Sequence, residues 1–147
     1  MSAKPVTVVI ERPVADVFSY MNDIAREPEW QPQVREAEQL PPGPAAVGST
    51  RRYASDFMSR TVRNTYVIRI WEPNRRIVLE TTPDSAFAAT SEIRWEAVTG
   101  GTRVTMSVDG APKGRLKLLP RRLVEAAFQR ELETALARLK ARLEDGR

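Results

Sequence analysis

The spacing of apolar residues changes rhythm along this chain. Val6, Val8 and Ile10 alternate with Thr7, Val9 and Glu11, the period of two that predicts a strand with one covered face. Pro13 then suits a first helical turn, where a missing N–H leaves nothing unpaired. Val14, Val17, Phe18 and Met21 follow at helical spacing, so a helix is predicted over 13–21. Asn22 and Asp23 read as a helix end and a new cap, and Pro28 and Pro32 limit the next stretch to short turns. Leu40-Pro-Pro-Gly-Pro44 is a loop.

The period of two then returns. Strands are predicted over Ser49–Met58, Arg63–Trp71, Arg76–Thr82, Ala88–Ala97 and Arg103–Val108. Turns fall at Glu72–Arg75, Pro83–Ala86 and the glycine-type Thr99–Thr102. From about Leu116 the period changes again. Leu119, Leu123, Ala127, Phe128, Leu132, Leu136, Leu139 and Leu143 form an apolar face, with Arg and Glu interleaved. That predicts an amphipathic helix on the order of 35–40 Å long, with Pro120 in its first turn or bending it.

Composition narrows the chemistry. The 147 residues include no Cys and no His, which fits one domain spanning 1–147. Disulfides, thiolate metal sites and Cys nucleophiles are excluded, and so is the usual neutral-pH acid–base group. A general base must be a carboxylate, Tyr, Lys or activated water. The net charge of +4 is mild and reads as a solvated surface rather than a nucleic-acid footprint. No apolar run approaches a membrane span of roughly 20 residues, and no signal-peptide pattern precedes the first strand, so a cytoplasmic location is expected. No phosphate-binding glycine loop, metal-ligand cluster or nucleophile elbow is present, and neither metal nor cofactor is expected.

The order of elements carries a resemblance. Val8-Val-Ile-Glu-Arg-Pro-Val-Ala-Asp-Val-Phe-Ser-Tyr20, Glu29-Trp-Gln-Pro32, Val47-Gly-Ser-Thr50, Trp71-Glu-Pro73 and Gly101-Thr-Arg-Val-Thr105 are similar to the START-like SRPBCC superfamily, and to its polyketide cyclase/dehydrase-like branch in particular. The resemblance implies an α+β helix-grip fold: a curved antiparallel sheet around a long C-terminal helix, with two short helices after the first strand. It also implies a hollow between sheet and helix.

Within such a hollow the ligand-binding candidates are Tyr53, Phe57, Tyr66, Ile68, Leu79, Ile93, Trp95 and Met106 from the strands. Ile70 and Val108 share the predicted inward set, Leu123 and Phe128 face it from the helix, and Trp30 stands at the rim. Arg51, Ser55 and Asn64 are polar groups on or near the same face, while alternation puts Asp56 and Glu80 outside. No residue is assigned a catalytic role. The expected function is binding of a hydrophobic small molecule such as a lipid, polyketide or aromatic metabolite. The alternatives are a cyclase or dehydratase-like enzyme and an interaction module of the heat-shock-ATPase-activator type, with a filled interior. The basic segment Lys113–Arg122 reads as exposed stems, with transient contact to an anionic membrane as its other use. Stable membrane insertion is not expected.

Overall fold

The computed structural model describes residues 2–145. Seven antiparallel strands lie in the order β1-β7-β6-β5-β4-β3-β2. They are β1 (Ser2–Ile10), β2 (Val34–Leu40), β3 (Thr50–Phe57), β4 (Arg60–Glu72), β5 (Arg76–Thr81), β6 (Phe87–Val98) and β7 (Gly101–Pro112). Between β1 and β2 come α1 (Val14–Met21), a 3-10 turn and the single-turn α2 (Glu27–Trp30). A second 3-10 turn (Gly114–Leu118) leads into α3 (Arg121–Asp145). The curved sheet grips α3, which makes this the α+β helix-grip fold.

Several elements depart from the sequence pattern. Val34-Arg-Glu-Ala-Glu-Gln-Leu40 is rich in helix formers, yet it forms edge strand β2 against β3. Its outward Glu36 and Glu38 pair loosely with Arg63 and Arg52, each at 3.7 Å, and outward charge of this kind keeps an edge from pairing with other chains. At the other edge, β1 starts at Ser2 because a bulge between Ala3 and Val6 takes up Pro5, which has no ladder donor to offer.

The helix starts later than its apolar spacing suggests. Leu116 lies in the 3-10 turn and Leu119 and Pro120 in its exit, so α3 begins at Arg121. Its buried face is Val124, Phe128, Leu132, Ala135, Leu136 and Leu139. Leu123 is 53% exposed, which corrects its placement on the inner face: it sits roughly 140° around the helix from Phe128 at 3.6 residues per turn.

The far half of α3 is fastened to edge strand β1. Lys140 Nζ donates to the Val9 carbonyl at 2.8 Å, Glu144 accepts from the Glu11 amide at 3.0 Å, and Arg12 Nε donates to the Leu143 carbonyl at 2.8 Å. Beneath α1, Phe18 meets Trp71 and Trp95 edge-on, and Trp95 Nε1 donates to Met21 Sδ at 3.2 Å. At the turn into β7 the chain passes so close to β1 that a Cβ on Gly101 would stand 2.1 Å from the Ile10 carbonyl oxygen. Only glycine fits there.

Candidate functional site

A cavity of about 160 Å³ lies between the inner face of the sheet, the end of α1, α2 and the N-terminal half of α3. Strict alternation builds one wall. On β3 the inward residues are Arg51, Tyr53, Ser55 and Phe57, and on β6 they are Phe87, Ala89, Ser91 and Ile93. On β4 the alternation runs through Val62, Asn64 and Tyr66 to Ile68, and then a bulge at Arg69 shifts the register. Trp71 therefore packs against the core, and Ile70, placed on the inner face by simple alternation, does not.

Of the residues singled out from sequence, Trp30, Tyr53, Phe57, Tyr66, Leu79, Ile93, Met106 and Phe128 line the cavity, as does Val108. Ile68 and Trp95 do not, since both are buried in the core beside it. Leu123 faces away. Phe57, Phe87 and Phe128 meet one another at centroid distances of 5.0–5.4 Å and close part of the space with their edges.

Two buried polar clusters share these walls. In the first, Glu27 on α2 is 3% exposed. Its carboxylate accepts from Tyr53 Oη at 2.8 Å and from Gln31 Nε2 at 3.1 Å. Burial raises the Glu27 carboxyl above its ordinary value, against the opposing pull of Tyr53, Arg51 and Gln31. Burial and then the nearby Glu27 push the Tyr53 phenol well up. In the second cluster, Arg51 is 4% exposed. It donates from Nε to Gln39 Oε1 and from Nη1 to Asn22 Oδ1, both at 3.1 Å, and lies 5.8 Å from the Trp71 ring centroid.

A third pair faces the cavity across its width. Glu131 on α3 and Tyr66 on β4 both line it. Burial lifts the Glu131 carboxyl to about 7. Burial, reinforced by Glu131, lifts the Tyr66 phenol to about 12. A carboxyl poised there can give or take a proton near neutrality, with a neutral phenol opposite to donate a hydrogen bond.

Glu27 and Glu131 are the acidic groups that sequence reading missed. Glu80 points outward, held by Arg69 at 3.7 Å, whereas Asp56 borders the cavity with its side chain half exposed and held by Arg35 at 2.6 Å. Among the described residues no group of three acidic side chains is placed to hold a metal ion, and no helix is long and apolar enough to cross a membrane.

Comparison with known proteins agrees with this architecture. Residues 5–144 match the model of the family described as polyketide cyclase / dehydrase and lipid transport. A search of curated proteins finds no matching sequence. Among solved structures, the protein TTHA0849 from Thermus thermophilus is similar with a TM-score of 0.83 and 18% identity, over 99% of each chain. The Zhui aromatase/cyclase from Streptomyces sp. R1128 gives a TM-score of 0.82 and 17% identity, over 98% of this chain and 93% of that one. A START superfamily protein from Mycobacterium smegmatis gives 0.81 and 16%, over 100% of both. At such identities the structural likeness speaks for the fold. The family match spans nearly the whole sequence, and the chain thus belongs to the polyketide cyclase/dehydrase and lipid transport family, within the START-like SRPBCC superfamily.

Proposed function

We propose that this protein binds a small, largely apolar molecule in the cavity between the sheet and α3. One observation carries the reading: a hollow of about 160 Å³ persists beside a core whose Ile10, Val17, Ile77, Val104 and Leu139 are fully buried. Such a void forgoes dispersion contacts, and an occupant would restore them. Apolar walls with a few fixed polar groups are the usual composition of small-molecule sites. The hollow also favours a ligand carrier over the filled interior expected of an interaction module. The likeness to a START superfamily protein and an aromatase/cyclase supports the same choice.

Size limits the occupant. An apolar cavity of roughly 150 Å³ holds one benzene ring, so a single-ring compound fits as the side chains stand. A longer lipid or polyketide requires the Phe57–Phe87–Phe128 cluster to move. Binding is favoured over catalysis because Tyr53 and Glu27 already direct their hydrogen bond at each other.

Native mass spectrometry of the purified full chain tests this reading. A retained apolar mass, lost on mild activation, is the expected result. Protein at its bare sequence mass, together with no rise in melting temperature across a panel of single-ring compounds, would overturn it.

A further inference from the structure

Arg51 carries a full positive charge into a nearly closed interior, and no carboxylate lies within ion-pairing distance of it among the described residues. The partners it touches, the Asn22 and Gln39 amide oxygens and the Trp71 ring, are all uncharged. Glu27 feels its charge through space but accepts its own hydrogen bonds from Tyr53 and Gln31. The Arg51 Nη2 is buried with no hydrogen-bond acceptor. The indole Nε1 of Trp30, on the same cavity, is the other buried side-chain donor without an acceptor among the described residues. Unmet donors weigh most where water is excluded. A buried guanidinium is tolerated when paired and fully hydrogen-bonded, and here the protein supplies hydrogen bonds without a directly paired counter-charge.

From this arrangement we infer that the cavity takes an organic acid: a single-ring carboxylate whose oxygens pair with Arg51 while its ring lies among the apolar walls. The inference rests on the binding reading above and deepens it by naming the ligand class. Guanidinium and carboxylate match in shape as well as charge. Asn22 closes α1 and Gln39 belongs to β2, so two elements hold the guanidinium in place before a ligand arrives. Glu131 lies on the helix wall, and its tendency to hold a proton keeps a second negative charge off the site below neutral pH. Among the other titratable groups on these walls, Glu27, Tyr53 and Tyr66 are likewise biased toward their neutral forms, and the half-exposed Asp56 is paired with Arg35.

Three probes of one size separate the possibilities: benzoate, benzamide and toluene, titrated calorimetrically into the wild-type full chain and into Arg51→Gln. A hydrogen bond to a buried charge is expected to make benzoate bind roughly ten- to a hundredfold tighter than toluene. Benzamide should fall between them, and Arg51→Gln should erase benzoate's advantage. Toluene binding as tightly as benzoate in the wild type, or benzoate binding unchanged in Arg51→Gln, overturns the acid site and leaves the binding cavity standing. If none of the three binds, both readings fail. The wild-type ranking needs no variant, so the inference stays open to refutation even if Arg51→Gln does not fold.

Discussion

Glu131 places a carboxyl among aromatic side chains, and the free-energy cost of that position depends on pH. Its native value of about 7 lies above the ordinary 4.5. Below both values the group is neutral in folded and unfolded chains alike, and there is no penalty. As pH rises from the lower value to the upper, the unfolded chain gives up its proton while the folded chain keeps it. Folding stability therefore falls through that window and levels off above it. Allowing for partial solvent screening of this half-buried group, the loss is roughly 2 kcal/mol. Glu131→Gln keeps the shape and removes the charge. It should melt at a temperature close to that of the wild type near pH 4 and clearly higher near pH 8.5, roughly 4–6 °C for a loss of that size in a chain of this length. A difference in melting temperature that does not change with pH would refute the account. The residue was within reach of sequence reading. Glu131 follows Phe128 by three positions, roughly 60° around the helix, which puts a charge inside the apolar stripe. Glu27 offered no comparable signal, because its burial depends on how α2 docks, and a four-residue helix has no period to read.

At the scale of elements, the β3–β4 hairpin shows what alternation leaves out. Phe57 pairs with Arg60, so Met58 and Ser59 alone make the turn, both in the left-handed region with φ of 49° and 67°. Two-residue hairpins of this hand usually carry Asn-Gly or a similar pair. The Met-Ser sequence gives no such cue, so the sequence pattern runs β3 on to Met58 and starts the next strand only at Arg63. Left-handed backbone costs an ordinary residue roughly 1–2 kcal/mol. Ser59→Gly should recover part of that, a net gain of about 0.5–1 kcal/mol once glycine's greater freedom in the unfolded chain is subtracted. Denaturant titration should show the midpoint moving up at constant slope; an unmoved or lowered midpoint means the turn is unstrained. Register explains the other misreading. The alternation of β3 is unbroken, so Arg51, Tyr53, Ser55 and Phe57 could be placed on one face from sequence. On β4 the extra residue at Arg69 exchanges Ile70 for Trp71, and nothing in Val-Ile-Arg-Ile-Trp announces a bulge. The β2 strand was hidden for a different reason: seven residues with helix-favouring composition become a strand because β3 offers them a ladder, and tertiary context overrides local preference.

For the whole molecule, the hollow sets stability against occupancy. The C-terminal half of α3 is sealed by Leu136 and Leu139 and tied to β1, while its N-terminal half borders the cavity through Phe128, Glu131 and Leu132. One helix thus closes the core with one half and roofs the hollow with the other. If the hollow is there for a ligand, filling it with a side chain should preserve folding and abolish binding in the same variant. Ser91 suits this test because it points inward from the middle of β6, between Ala89 and Ile93, and pairs across the sheet with Leu79 and Val108. The Ser91→Phe ring occupies much of the space a single-ring ligand would take. Its burial is worth roughly 1.5–3 kcal/mol, reduced by whatever overpacking it meets, which is commonly about 1–3 kcal/mol. The two terms largely offset, so the net change in melting temperature should be small, and the apolar mass expected in native spectra of the wild type should disappear. A variant that folds as well as the wild type yet still carries that mass would show that the ligand sits elsewhere. A variant that loses the mass only by losing its fold would show that these walls cannot take another ring, and Ala89→Val, which adds far less volume from the same face, then provides the graded comparison: partial loss of the bound mass with the fold intact.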